Sequence, residues 1–244
     1  MSVRGLISAQ SLLMIFFAVH GFAGTVTYFS DSSWTVLDSS SVNIGAAQTV
    51  CLNSSFPSPC PGGAADYGFS GGGWGANLSA IPDAAWIWAP GVTGSSPTGV
   101  EFAMYSFTRS ISVSGTPVSG EIFVSADDFA AVVVNGTQVG TVGSISDLDL
   151  AVGAQSALTM FDILPYLVSG PNLIMVVGQN GHWPSFGGCT NCTYSQNPAA
   201  VVFGGTIDFA DLPADPSPEP GTVSMAVMGG IVVVVRRWRK RRRQ

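Results

Sequence analysis

The sequence predicts an all-β protein, a sandwich of short strands. Three observations support this fold class. Runs of β-branched and aromatic residues alternate with loops rich in Gly, Ser and Pro, and an Asn-Gly dipeptide joins two of the runs. Helical periodicity is nearly absent, and only residues 160–167 are expected to form a helical turn. The part of the chain from residue 24 to about 210, roughly 190 residues, is long enough to bury a single hydrophobic core.

The predicted strands share a short length and a bounding turn or loop. Asn135-Gly136 supplies the two positive-φ positions of a type I′ turn, and the Gly-rich stretch 61–75 predicts a long surface loop. The strands are predicted at 25–29, 100–107, 121–125, 130–134, 137–140, 172–177 and 199–203.

Two segments resemble the galactose-binding-like jelly roll. Residues 124–136 contain Ala-Asp-Asp followed by apolar residues and Asn-Gly, and 161–174 combine Phe-Asp-Ile-Leu-Pro-Tyr-Leu with Gly-Pro-Asn-Leu-Ile. Ala85-Trp86-Ile87-Trp88 also fits the pattern, so the likeness covers roughly residues 34–205 in order. The resemblance implies a jelly-roll β-sandwich of the kind found in carbohydrate-binding modules and non-catalytic accessory domains.

The N-terminus is typical of a secretory signal peptide. Arg4 provides a positive charge, residues 12–19 form an apolar core, and Gly21-Phe22-Ala23 places small residues for cleavage after Ala23. We therefore expect a signal helix over 1–23 and a β-sandwich domain over 24–210.

Charge is distributed unevenly along the chain. Seven of the nine Lys and Arg residues lie within 236–243, whereas all 15 acidic residues lie between Asp31 and Glu219 with Arg109 as the one cation among them, a net charge of −14 over that stretch. An acidic body repels phosphate backbones, so no nucleic-acid partner is expected.

The C-terminus has three parts in a fixed order. A Pro-rich linker over 211–220 ends in Pro218-Glu219-Pro220, an apolar run follows over 221–235, and an arginine cluster ends the chain. At 1.5 Å per residue the apolar run makes about 22 Å of helix, short for a hydrocarbon core of about 30 Å. Residues 221–244 are thus expected to form a short transmembrane helix with a basic tail on the cytoplasmic side.

This three-part order resembles the PEP-CTERM sorting signal. The resemblance implies a Gram-negative bacterium in which an exosortase-type enzyme cuts near Pro-Glu-Pro. It also implies an inner-membrane intermediate, followed by delivery to the cell surface or to an extracellular polysaccharide matrix.

Four cysteines fit an exported chain. Four cysteines allow three connectivities. The simplest pairs cysteines that are near each other in the sequence, Cys51 with Cys60 and Cys189 with Cys192. The alternative, one zinc site built from all four, is disfavoured because the gap between Cys51 and Cys60 is wider than that of a zinc knuckle.

Adjacent carboxylates, Asp127 and Asp128, fall between two predicted strands. We expect them to bond local backbone N–H groups as an Asx-turn, with calcium binding as the alternative. Asp147 and Asp149 lack the further oxygens of a calcium loop and are expected to be solvated. No other metal or cofactor is expected.

The sequence does not indicate an enzyme. Gly68-Phe69-Ser70-Gly71-Gly72 matches a nucleophile motif, but that motif needs a helix after it, and Gly-rich sequence follows instead. The Cys-x-x-C of residues 189–192 lacks a following helix pattern, which favours a structural disulfide.

Tryptophans are the remaining candidates for a binding surface. Trp86 and Trp88 are expected to pack in or over the core, whereas Trp74 and Trp183, with His182, lie in loop-like sequence and are predicted to face a glycan. We therefore predict an exported, non-catalytic surface or matrix protein that binds carbohydrate. The alternatives are a secreted hydrolase with the same sorting signal, using Ser70 and His182, and a purely structural matrix component.

Overall fold

The computed structural model describes residues 24–53, 60, 62–98, 104–181 and 191–211. Two sheets face each other as a β-sandwich with little helix, which confirms the all-β prediction. The predicted signal helix, the Pro-Glu-Pro motif and the predicted transmembrane helix lie outside the described residues. Within the described ranges, no helix is long and apolar enough to cross a bilayer.

Most regular structure in the described residues is strand. One α-helix, α1, spans Leu148–Ser156, and 3₁₀ turns span Leu78–Ala80 and Leu164–Tyr166. The strands are β1 (Gly24–Phe29), β2 (Thr35–Leu37), β3 (Asn43–Ala46), β4 (Gln48–Cys51), β5 (Ala65–Asp66), β6 (Ile87–Trp88), β7 (Met104–Val113), β8 (Thr116–Asp127), β9 (Phe129–Val134), β10 (Thr137–Gly143), β11 (Thr159–Asp162), β12 (Gly170–Gln179) and β13 (Ala200–Ala210).

The first sheet has the order β11-β8-β13-β6-β4-β5, with β1 also paired to β13. The second has the order β10-β9-β12-β7-β2-β3. The pairings are antiparallel except for the short β4–β5 pair. Strands distant in sequence are therefore neighbours, as in β12 beside β7 and β13 beside β8.

The predicted hairpin is confirmed in β9 and β10. Asn135 and Gly136 both have positive φ, at 50° and 82°, as a type I′ turn requires. The Asn135 amide nitrogen also donates to the Asn172 side chain at 2.9 Å, and its carbonyl oxygen accepts from the Leu173 N–H at 2.9 Å. The turn is therefore tied to β12 as well as to its own strands.

Helix α1 corrects the prediction that only 160–167 could be helical. Its N-terminus is capped by Asp147, whose side chain accepts from the Leu150 N–H. The helix buries only Ala151 and Ala154. Its large apolar side chains point outward, so the hydrophobic pattern gives no inward stripe to recognise. In the predicted stretch, only Leu164–Tyr166 makes a 3₁₀ turn.

Several other predicted boundaries also differ from the structure. The strand predicted over 100–107 is described from Met104 and extends to Val113, with Phe107, Ile111 and Val113 buried. The loop predicted over 61–75 contains the short strand β5 and buries Tyr67.

The core lies between the two sheets. Trp34, Trp88 and Phe203 are fully buried there, and the edge of the Trp34 ring meets Phe203 with centroids 4.6 Å apart. Trp88 also packs against Phe107 of the second sheet. Large aromatic side chains from both sheets thus bridge the sandwich, which gives it much of its buried apolar area.

Candidate functional site

A buried pair of carboxyl groups, Asp127 and Asp128, lies where β8 passes into β9. Their exposed fractions are 5% and 7%. Asp127 Oδ2 accepts a hydrogen bond from Trp74 Nε1 at 2.8 Å, and Asp128 Oδ2 accepts one from the Gly181 N–H at 2.7 Å. Each donor is 53 residues away in sequence. The predicted Asx-turn is therefore wrong, because the two Oδ2 atoms accept from donors distant in sequence instead of from neighbouring backbone N–H groups. The peptide bond between Asp127 and Asp128 is cis.

Burial dominates the electrostatics of this pair. It raises the pKa of Asp127 well above its usual range, and the adjacent Asp128 carboxylate raises it further. Burial also raises the pKa of Asp128, while hydrogen bonds from Asp127 and from the Gly181 backbone lower it. Both carboxyl groups are therefore harder to ionise than an exposed aspartate.

The loop that supplies Trp74 is held against β4. The Tyr67 N–H donates to the Cys51 carbonyl at 3.0 Å, and the Phe69 N–H donates to the Leu52 carbonyl at 2.8 Å. Trp74 stacks on Trp86, with ring centroids 4.7 Å apart and an interplanar angle of 20°. The indole is therefore fixed by stacking and by its hydrogen bond to the carboxyl pair.

The other end of this loop is held to α1. The Gly75 N–H donates to the Gln155 carbonyl at 3.0 Å. A Cβ at Gly73 would lie 3.1 Å from both Gln155 Oε1 and Leu52 Cδ1, so a larger residue there would require these two side chains to shift slightly.

A cavity of about 270 Å³ opens beside the carboxyl pair. The loop after β5, helix α1 and the segment before β13 form its walls. The described residues that line it are Phe69, Gly72, Gly73, Asp127, Asp128, Leu148, Val152, Gln155, Ser156, Gln196, Asn197 and Pro198.

Of the three residues predicted to face a glycan, Trp74 is half-buried beside this cavity, with one ring face covered by Trp86. His182 and Trp183 lie outside the described residues. Trp86 is half-buried against the core and Trp88 is fully buried.

Ser70 is exposed, in a segment without regular secondary structure. The strand-then-helix setting of a nucleophile motif is therefore missing around it within the described residues. Calcium at Asp127 and Asp128 stays a prediction; one oxygen of each carboxyl group already accepts an N–H bond.

The cysteine prediction is confirmed for the first pair. Cys51 and Cys60 form a disulfide with a Cα–Cα distance of 5.5 Å, so their sulfur atoms do not serve as thiolate ligands of a zinc site. Cys192 is also disulfide-bonded, and its predicted partner Cys189 lies outside the described residues.

The sequence did not predict the cavity or helix α1, which forms one of its sides. Gln155 and Ser156 belong to α1, which has no helical hydrophobic stripe, and Asn197 precedes β13 without a recognisable motif. The one local signal was Asp127-Asp128 between two strands.

Comparisons with known proteins do not assign this chain to a protein family. No protein-family model matches the chain, and no curated protein matches it. Among solved structures, it is similar to α-L-rhamnosidase from Streptomyces avermitilis, at 17% identity and a TM-score of 0.36 over 75% of this chain and 15% of that one. It is also similar to a β-glucuronidase from Bacteroides uniformis, at 14% identity and a TM-score of 0.32 over 75% and 18%. An FMN-binding β-glucuronidase matches at 14% identity and a TM-score of 0.34 over 73% and 22%. The chain spans at most 22% of the length of these three glycosidases.

Proposed function

We propose that the protein is an exported, non-catalytic β-sandwich of the galactose-binding-like type that binds carbohydrate at the cell surface or in an extracellular matrix. A PEP-CTERM-type signal at 218–244 would direct it there. The observation that carries the proposal is the order of segments: an N-terminal segment typical of a signal peptide, an acidic middle segment, Pro-Glu-Pro, an apolar run and an arginine cluster. An exosortase-type enzyme in the inner membrane of a Gram-negative bacterium is the expected partner.

The disulfide supports export. Bonds such as Cys51–Cys60 persist in oxidising compartments and are rare in the cytosol. No described cysteine is free.

The placement of the ends supports a tethered intermediate. Gly24 pairs with Phe209, so the site predicted for signal cleavage and the start of the linker lie side by side at one end of the first sheet. The cavity lies near the other end, because Asp127 pairs with Ala200 at the start of β13. The 11 residues of β13 are joined by ten steps of roughly 3.3 Å, a length of about 33 Å. An anchored chain would then hold its cavity away from the linker.

The cavity supports carbohydrate binding without catalysis. Carboxyl, amide and hydroxyl groups lie beside an aromatic ring, Phe69, which is the mixture that sugar hydroxyls and ring faces require. The two carboxyl groups belong to residues adjacent in sequence, rather than facing each other across a gap as in glycosidases.

The sorting proposal is tested by substituting both prolines of the motif, Pro218→Ala with Pro220→Ala. The wild-type chain should lose its C-terminal segment and leave the membrane fraction, whereas the variant should stay there at full length. Pro213→Ala with Pro216→Ala is the matched control in the same linker and should be processed normally. A full-length wild-type chain in the cytosol would reject the proposal.

The binding proposal is tested on a glycan array with the protein purified from the producing cells. Reproducible binding to a group of related glycans is expected. Uniform silence would favour a purely structural matrix component instead.

A further inference from the structure

We propose that the cavity beside Asp127 and Asp128 is the carbohydrate site, and that it selects a single sugar residue carrying no negative charge. The inference rests on the proposed function and specifies where and what the sandwich binds.

Size favours one sugar residue. The volume of the cavity, about 270 Å³, lies just below the roughly 300–1,000 Å³ usual for small-molecule sites. A longer glycan would then place one residue inside and continue into solvent. Exposed Leu148 and Val152 of α1, at 44% and 48% exposure, border the cavity and offer apolar contact for such an extension.

Polar groups in the walls suit hydroxyl recognition. Asp128 gives one oxygen to the Gly181 N–H, and the carboxyl group can still accept from hydroxyl donors. Gln155 contributes an amide that can both donate and accept, and the Ser156 hydroxyl, which donates to the Val152 carbonyl at 2.6 Å, can still accept. Adjacent hydroxyls of a sugar ring are both donors and acceptors, so they match this set.

Carboxyl groups without a neighbouring cation disfavour acidic sugars at this site. The described residues that line the cavity include two carboxyl groups and no cation. Arg109, the single Lys or Arg of the described residues, lies on β7 in the opposite sheet. A carboxylate ligand would meet like-charge repulsion from ionised Asp128, and salt reduces this repulsion.

The site is built before any ligand arrives. The Trp74 indole is held by Asp127 and Trp86, and the Gly75 N–H holds the loop to α1. The Gly181 backbone fits closely against Asp128, since a Cβ there would lie 2.6 Å from Oδ2. A preformed cavity avoids the cost of ordering its walls on binding.

The test uses two sets of probes and three variants. The probes are methyl glycosides of neutral hexoses, 6-deoxyhexoses and hexosamines, each compared with the corresponding hexuronic acids by ligand-observed NMR on the purified protein. Two variants change the site: Asp128→Asn removes an ionisable group, and Gln155→Ala removes the amide of a half-buried residue in the cavity wall. Gln138→Ala, exposed on β10 and outside the cavity, is the matched control. Circular dichroism checks that each variant is folded.

At least one uncharged or amino sugar should bind the wild type, and its uronic acid should bind at least about tenfold more weakly, a difference of about 1.4 kcal/mol. Gln155→Ala should weaken binding at least about fivefold, and Asp128→Asn should bring sugar and uronic acid within about threefold of each other. Gln138→Ala should bind like the wild type.

Equal binding of sugars and uronic acids, or variants that all behave like Gln138→Ala, would overturn this site while leaving carbohydrate binding elsewhere on the sandwich intact. Binding on the glycan array with no monosaccharide binding would overturn the single-residue site alone. Silence in both assays would remove the carbohydrate part of the proposed function as well.

Discussion

Replacing Asp127 with asparagine tests whether the buried carboxyl pair holds a proton in the folded protein. The side chain is almost fully buried, and burial raises its pKa well above the usual range. The folded state therefore binds more protons than the unfolded chain at pH values between the two pKa values. Stability contributed by the protonated pair is fully present below the unfolded pKa of about 3.9 and is lost as pH rises toward the folded-state value.

The size of the effect follows from the release of one proton by Asp127. Each pH unit in that window changes the free energy of unfolding by up to about 1.4 kcal/mol for one proton. Asparagine keeps the shape and can still accept from Trp74 Nε1, but it does not ionise. The stability of Asp127→Asn relative to wild type should therefore increase with pH, with a slope of up to that value.

Urea unfolding at several pH values from 4 to 8 measures this difference. Asp83→Asn, at an exposed residue outside the cavity, is the control substitution. If the stability of Asp127→Asn relative to wild type stayed level or fell as pH rose, Asp127 would be charged in the fold and the assignment of the proton would be wrong.

Three further substitutions test the supports of the site by chemical denaturation. Trp74→Phe keeps an aromatic ring over Trp86 but leaves buried Asp127 without its indole donor. It should lower the free energy of unfolding by about 1–3 kcal/mol. Cys51→Ser with Cys60→Ser releases the loop closed by the disulfide and should cost roughly 2–3 kcal/mol, an effect that reduction of the wild type should reproduce in direction. Gly136→Ala forces a Cβ onto a turn position with φ of 82°, and should cost about 1 kcal/mol.

Each of these has a result that contradicts it. A Trp74→Phe protein as stable as wild type would show that Asp127 finds another donor or needs none. An unchanged unfolding midpoint without the disulfide would show that the loop is already restricted in the unfolded chain. Gly136→Ala without effect would mean that the turn relaxes to another type at no cost.

The sequence by itself determined the features that depend on neighbouring residues. Alternation along a strand and the positive-φ pair Asn135-Gly136 are local properties, so the hairpin of β9 and β10 could be predicted with its turn type. The first disulfide was also predictable, because its two cysteines are separated by 9 positions and close a short loop.

Only the tertiary structure decided the site. Trp74 and Gly181 each lie 53 residues from the carboxyl group that they bond, and no local pattern specifies such a distance. Helix α1 escaped prediction because its buried side is made of two alanines while its larger apolar residues face solvent. Strand pairing brings these segments to one end of the sandwich, since hydrogen bonding and core burial depend on the whole chain rather than on any one segment.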